Sequence, residues 1–292
     1  MMSSSKSAGT YYNQFYCFAI FLAYYYILKL PIQADPLLHY DDAEALYHTL
    51  ALIKGKIPHL EDATHHSFGY VLPFFFLSKI FGFSEYLLRH SALLIQPLTA
   101  LAIFLSVRCY QNRLVALLCG LLYLSAREPW VNAFYPQYLM NFVIAWMFFA
   151  LTKWIRTRQD KHLLAAFLIA GLGLIIDQRL LALVLVPSTA LALENTSLGG
   201  WHRAKPILSL KALVIWIFPI TIWILYLAAN SALSSYLEQT FIYPLTHRSA
   251  SVSLLEHLLL FIKLNIRAFN LSPFIFTAAL TGMIYSIFRM QT

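Results

Sequence analysis

The chain has 292 residues, of which 60% are hydrophobic and only 12% are charged, and its net charge is +8. A soluble domain of this length carries about 25% charged residues, so the composition excludes an ordinary soluble domain. Most basic residues lie at the ends of hydrophobic segments, where they set topology and contact anionic lipid headgroups, so we expect no nucleic-acid partner. Three cysteines without a CxxC pair predict neither a disulfide framework nor a zinc site.

Taken in chain order, the apolar segments predict an all-α, multi-pass helical membrane protein with about eight spanning helices. We place these helices at residues 13–32, 88–108, 113–131, 137–156, 161–176, 178–194, 208–229 and 270–288. They form a single domain over residues 1–292, and the first segment is interpreted as a retained signal anchor. With both termini in the cytoplasm, the basic connections between helices face the cytoplasm. We expect the bacterial inner membrane in preference to the endoplasmic reticulum.

Two long outer loops follow from this topology, at residues 33–87 and 230–269. Both are rich in Leu, Phe and Tyr, which is typical of helices at the membrane interface rather than of linkers. We place interfacial helices at 43–53, 69–82 and 253–267. If the last two also spanned, the helix count would rise to nine or ten. If only one of them spanned, the basic connections would face the wrong side, and this favours the interfacial interpretation.

The first outer loop opens with Asp41, Asp42 and Glu44, in a chain that has only 13 acidic residues. Acidic residues beside hydrocarbon are costly and therefore indicate function. A partly desolvated carboxylate can act as a general base, and paired acids can bind a divalent cation that holds a phosphate. The structural alternative is that Asp41 or Asp42 caps a helix beginning at Ala43, with Glu44 as an ordinary helix residue. The two interpretations are compatible.

Further polar residues of the outer face are candidates for the rim of a cleft. His65, His66 and Lys56 lie in the first outer loop, and Gln137 lies at the start of a predicted helix. Two adjacent histidines cannot both face one metal ion from a regular helix, so these residues do not predict a metal site.

Two arginines are candidates for binding a phosphate. Arg179 lies at a tight connection between two predicted helices, and Arg248 lies in the second outer loop. A guanidinium binds phosphate through two parallel hydrogen bonds. The alternative for Arg179 is an ion pair with Asp177 that caps two short helices.

An ordered series of short motifs runs through the first two thirds of the chain. Asp41-Asp42 follows the first helix, and Gly55-Lys56-Ile57-Pro58 follows the first interfacial helix. An apolar segment then ends in Lys79-Ile80-Phe81-Gly82, and the next helix begins with Glu85-Tyr86-Leu87-Leu88-Arg89. The series resembles the GT-C class of integral-membrane glycosyltransferases, particularly the branch of the dolichyl-phosphate-mannose-protein mannosyltransferases and the bacterial lipid A aminoarabinose transferases. The resemblance covers about residues 14–195.

The resemblance implies an inverting transfer of a hexose or pentose from a polyprenyl-phosphate-linked donor, on the periplasmic or lumenal face. The acceptor would be a lipid, a glycan or a protein, and membrane lipids are further partners. Asp41 matches the catalytic Asp of the family, which deprotonates the acceptor, and Asp42 matches the neighbouring acid. Arg179, with Arg248 second, is the candidate for holding the donor phosphate, which gains charge in the transition state. The resemblance implies no certain cofactor, and a divalent cation is a candidate.

Two positions depart from the family pattern. Gln137 stands where many members carry a second Asp, and Asp177-Gln178-Arg179 stands where many carry Thr-Lys. The chain is also shorter than many members, so a fragment and an inactive GT-C-like scaffold are alternatives. A lipid-linked glycan or small-solute transporter is another alternative, although the charges gather in outer loops rather than at helix midplanes.

Overall fold

The computed structural model describes residues 14–27, 40–62, 67–125, 136–195 and 206–243. Within these ranges the regular structure is helical, and the only extended pairing is an isolated bridge between Pro58 and Asp62. The predicted all-α class is therefore confirmed for the described part of the chain. The predicted helices at 253–267 and 270–288 lie outside the described residues.

The described α-helices agree with most of the predicted segments. They are α1 (Gln14–Ile27), α2 (Tyr40–Ile53), α3 (Leu72–Phe81), α4 (Glu85–Arg108), α5 (Arg113–Ser125), α6 (Pro136–Thr157), α7 (Asp160–Ile176), α8 (Leu185–Asn195), α9 (Pro206–Ala229) and α10 (Leu233–Leu237). Short 3-10 helices cover Phe68–Tyr70 and Gln178–Val184, and a π-helix covers Glu238–Ile242.

Local chemistry explains several helix starts. Ser84 precedes α4 in an extended conformation, and its Oγ accepts a hydrogen bond from the backbone N–H of Leu87 at 3.0 Å. This satisfies one of the free donors at the helix start. Helices α6 and α9 begin with Pro136 and Pro206, and proline suits the first helical position because it has no N–H to leave unpaired.

The predicted single helix over 178–194 is wrong. The chain instead forms the 3-10 helix Gln178–Val184 and then the 11-residue helix α8, which is too short to span about 30 Å of hydrocarbon at about 1.5 Å per residue. Pro187 supplies a physical reason. In one continuous helix it would remove an interior hydrogen bond and clash with the preceding turn, whereas in α8 it lies in the first turn, where it is tolerated.

Helix α7 lies between α6 and α9, while α4 packs against α5 and α6. The approach of α7 to α9 is close at Gly171, where a Cβ atom would overlap the carbonyl oxygen of Trp216. Small residues permit this kind of close helix packing. At the other side of α4, Phe21 of α1 is fully buried and fills the space beside Gly120 of α5.

Two described helices are long and apolar enough to cross a membrane, judged by length and composition. They contain the segments Tyr138–Thr157 in α6 and Leu208–Ala229 in α9. The buried core helix of a soluble protein can meet the same criterion, so this finding is only weakly in favour of a membrane protein. The larger number of predicted spans stays a prediction.

Candidate functional site

Helix α2 carries the acidic cluster. It begins at Tyr40, so Asp41 and Asp42 lie inside its first turn. The predicted start at Ala43 is wrong, and with it the interpretation of either residue as an N-cap. Acidic residues in a first turn still interact favourably with the partial positive charge at the helix N-terminus.

His48 lies further along α2 and is buried, with 3% of its surface exposed. Its Nδ1 is 2.7 Å from Oδ2 of Asp62, and its Nε2 is 3.3 Å from Oε1 of Glu44. Because both carboxylates accept hydrogen bonds, only an imidazolium with two N–H groups can donate to both. We call Glu44, His48 and Asp62 the His48 clamp.

The electrostatics of the clamp agree with this protonation state. Burial by itself lowers the pKa of His48, because it disfavours the charged ring. The hydrogen bonds and negative charges of Glu44 and Asp62 outweigh burial, and the net result is a raised pKa. His48 is therefore the cation of a small buried ion-pair network.

The loop after α2 returns Asp62 to the helix. The backbone N–H of Ile57 donates to Oε2 of Glu61 at 2.8 Å, and the N–H of His59 donates to the carbonyl of Asp62 at 3.0 Å. His59 has a φ of 65°, which is uncommon for a residue with a Cβ atom and costs about 1–3 kcal/mol. The tertiary contacts of His59 must offset this strain.

His59 is a second buried imidazole, with 1% of its surface exposed. Its Nδ1 lies 3.1 Å from Oε1 of Gln239, and Nε2 of Gln239 donates to the carbonyl of His59 at 3.0 Å. Since a carbonyl only accepts, the amide NH₂ must face it, and the amide oxygen then faces Nδ1. The proton is therefore on Nδ1, and the unprotonated Nε2 has no hydrogen-bond partner among the described residues.

The pKa of His59 is lowered to about 4, mainly by burial. The charge of His48 lowers it further, while the hydrogen bond to Gln239 and the charge of Asp62 raise it in part. An uncharged amide cannot compensate the burial of a charge as two carboxylates can. At neutral pH His59 is therefore neutral, whereas the pKa of His48 is shifted in the opposite direction, which favours its charged form.

Phe68 contacts both imidazoles. Its ring centroid is 4.9 Å from that of His48 and 4.9 Å from that of His59, in edge-to-face geometry. Tyr236 of α10 contacts His59 in the same way at 4.9 Å. Such pairs add about 0.5–1.5 kcal/mol beyond the area that they bury.

The segment around Phe68 packs directly on the end of α7. The hydroxyl of Ser67 donates to the carbonyl of Ile175, and a Cβ atom at position 69 would overlap that carbonyl oxygen. Only Gly69 permits this approach. Ala45 of α2, Phe68 and Tyr236 share one buried core with Ile175 and Ile176. We call the segments 44–62, 67–71, 175–177 and 236–241 the junction.

Arg179 follows the junction immediately. Asp177 ends α7 with an extended backbone and is fully buried, and its carbonyl accepts the backbone N–H of Leu180 at 3.0 Å. The backbone of Arg179 therefore lies in the first turn of the 3-10 helix that begins at Gln178, directly after the junction. The alternative of an ion pair between Asp177 and Arg179 stays a prediction.

The remaining candidates of the cleft rim have different outcomes. Lys56 is exposed, with Nζ 5.9 Å from the ring centroid of Tyr47, and it is not part of the clamp. Gln137 is the second residue of α6. His65, His66 and Arg248 lie outside the described residues.

Within the described ranges no three His, Cys, Asp or Glu residues could hold a metal ion, so the divalent cation stays a prediction.

The sequence interpretation missed the residues that the junction brings together. Glu44 and His48 are four residues apart on one helix, which is a recognisable spacing for a side-chain pair. Asp62 lies 14 residues beyond His48, and Gln239 lies 180 residues beyond His59. No periodic pattern in the sequence indicates either of these two contacts.

Comparisons with known proteins find no matching family model, no matching curated protein and no matching solved structure. The resemblance to the GT-C class therefore rests on the sequence motifs. The family, the activity and the partners stay predictions.

Proposed function

We propose that the protein is a membrane glycosyltransferase that moves a sugar from a polyprenyl-phosphate-linked donor to an acceptor, with Asp41 as the general base. The junction carries this proposal, because it brings α2, which has Asp41 in its first turn, to the segment that continues into Arg179. Ala45 of α2 and Ile176 of α7 are far apart in sequence and contribute to one core. A carboxylate to take the acceptor proton and a guanidinium to bind the leaving phosphate are the groups that such a transfer needs.

The proposed reaction is a single displacement with inversion. The acceptor oxygen or nitrogen attacks the anomeric carbon, and the bond from that carbon to the phosphate oxygen breaks. The acceptor proton passes to Asp41, and polyprenyl phosphate leaves with the bonding electrons. An anionic phosphate leaves without a general acid, so Gln137 in place of a second Asp removes no group that this mechanism requires.

The exposed surface supports a membrane location. On α9, Leu210, Val214, Phe218 and Leu225 are 57–63% exposed and recur at helical spacing along one face. In water such a stripe would be an aggregation hazard, whereas in a bilayer it contacts hydrocarbon. We propose a multi-pass protein of the bacterial inner membrane, with its termini in the cytoplasm.

Helix α3 supports an interfacial position for the first outer loop. Ile80 and Phe81 are 72% and 70% exposed, and Lys79 lies beside them near the end of the helix. A short helix with a large exposed apolar surface and a basic end suits the plane of the headgroups. This placement keeps α2 near the boundary where a lipid-linked donor presents its phosphate.

Mass spectrometry of lipids that co-purify with the protein tests the donor class. A polyprenyl phosphate or its glycoside is expected, and a preparation containing only phospholipid would contradict the proposal. Transfer is then measured in liposomes with radiolabelled polyprenyl-phosphate hexoses and pentoses.

The Asp41→Asn variant tests the base. It should lose at least about 100-fold in transfer rate, since general-base catalysis contributes about 10²–10⁴-fold. Glu61→Gln is the matched control, because Glu61 is an exposed carboxylate of the same loop, and it should retain the wild-type rate. Full activity in Asp41→Asn would exclude Asp41 as the base. Proton-coupled solute flux without a covalent product would identify a transporter instead.

A further inference from the structure

Helix α2 depends on tertiary contacts for its position. It has 14 residues, and isolated helices of this length are marginally stable in water. Its fully buried Ala45 provides an apolar contact with the core. A buried polar contact is made by His48, whose two ring nitrogens both face carboxylates.

His48 and the first turn belong to the same continuous helix, so contacts at His48 also affect the position of the first turn. Positions 41, 45, 48 and 52 recur at helical spacing and share one face of the helix. Contacts at Ala45 and His48 therefore set both the rotation of α2 and its position along its axis. At about 1.5 Å per residue, position 41 lies about 10 Å from position 48, within one short rigid helix.

The clamp connects α2 to the rest of the junction. Asp62 accepts from His48 through its side chain and from the backbone N–H of His59 through its carbonyl. His59 is in turn held by Gln239 of the π-helix. A continuous series of contacts thus links α2 to Gln239, which lies 180 residues beyond His59 in the chain. π-helical turns are frequent at functional sites.

We propose that His48 is a positioning residue, which fixes the helix that carries Asp41 in its first turn by holding the carboxylates of Glu44 and Asp62. This role rests on the proposed function, since the position of Asp41 affects transfer only if Asp41 is the base. A displacement of about 1 Å in a catalytic group costs about 100-fold in rate. Small changes at the clamp should therefore reduce turnover without removing the donor site.

Three variants separate positioning from folding. In His48→Asn the side-chain amide can still donate to Asp62, as Nδ1 does. In His48→Phe a ring remains against Phe68, but the hydrogen bonds are lost and Asp62 is left buried without its charged partner. The double variant His48→Phe with Asp62→Leu removes that buried charge, so it should fold even where the single variant does not.

Two measurements test the proposal with full-length protein in liposomes, using the polyprenyl-phosphate sugar that the wild type accepts. The folded double variant should lose about 10–100-fold in kcat with an unchanged KM for the donor, and His48→Asn should keep most of the wild-type kcat. Hydrogen–deuterium exchange should rise at least about 10-fold in the amides of α2 and stay unchanged in α9.

The outcomes distinguish the two proposals. Wild-type kcat in the double variant, or unchanged exchange in α2, would overturn the positioning role and leave the proposed function intact. A wild type that transfers no sugar from any donor would overturn the proposed function, and the exchange measurement would still show whether His48 holds α2. An equal rise in KM and fall in kcat would show a general structural defect and would also overturn the positioning role.

Discussion

The two buried histidines of the junction share a neighbour, Phe68, and yet their pKa values are shifted in opposite directions. His48 lies between two carboxylates, and its pKa is raised. His59 is equally inaccessible to solvent, but its partner is the neutral amide of Gln239, and its pKa is lowered to about 4. Burial alone would make both rings neutral. The difference shows that hydrogen-bond partners, rather than depth, decide the protonation of an imidazole here.

The comparison also predicts which substitutions in the junction should destabilise the protein most. Removing one partner from a buried ion pair leaves an uncompensated charge, which is far more costly than losing a neutral hydrogen bond. The His48 region should therefore dominate the stability of the junction. The His59 region should contribute to stability through packing, and through this contribution's dependence on His59 staying unprotonated.

The largest effect is expected for Asp62→Asn. The variant removes the carboxylate 2.7 Å from Nδ1 of His48, and it should lower the free energy of unfolding by about 3–5 kcal/mol. Denaturant titration in detergent micelles near pH 6 measures this change. The control is Glu61→Gln in the adjacent, exposed carboxylate, which should cost less than about 1 kcal/mol. Equal losses in the two variants would show that the clamp is not a charged network.

The next effect concerns pH. The free energy of unfolding should have a maximum near pH 6.5. The raised pKa of His48 gives a contribution that is present below about 6.5 and lost as the pH rises through the folded-state pKa. The pKa of His59, lowered from 6.5 to about 4, gives a contribution that is present above 6.5. That contribution is lost as the pH falls toward 4, at up to about 1.4 kcal/mol per pH unit, because the unfolded state binds more protons.

Two variants assign the limbs of this profile, measured as the free energy of unfolding from pH 4 to pH 9. His59→Asn should flatten the acid limb, and Asn tolerates the positive φ at this position and can still donate to Gln239. His48→Asn should flatten the alkaline limb. An acid limb that is unchanged in His59→Asn would refute the neutral state assigned to His59.

The smallest effects are expected at two buried threonines, of which Thr49 follows His48 and Thr240 follows Gln239 in sequence. Thr49 and Thr240 are each 1% exposed, and the Oγ1 of each has no hydrogen-bond partner among the described residues. Valine has nearly the same shape and leaves no unpaired hydroxyl, so Thr49→Val and Thr240→Val should be neutral or stabilising by up to about 1 kcal/mol. Thermal unfolding midpoints measure the change. A loss above 1 kcal/mol at one position would show that its hydroxyl has a partner in solution.

Much of the helical framework could be predicted from local sequence. Apolar runs located α4, α6, α7 and α9 within a few residues, since a long run of apolar side chains favours a helix wherever it is buried. The prediction failed over 178–194, because it weighed hydrophobicity above the position of Pro187. It also placed the start of α2 at Ala43, although a helix that packs on a core continues to Tyr40.

The sequence by itself also determined that acidic residues lie directly after the first apolar segment, and that they open a helix. The tertiary structure alone decided which of the other acids have a chemical role. Glu44, interpreted as an ordinary helix residue, and Asp62 became partners of His48, while Gln239 became the partner of His59. The physical reason is that helix formation depends on neighbours three and four residues apart, whereas the protonation of a buried imidazole depends on groups that only folding brings within about 3 Å.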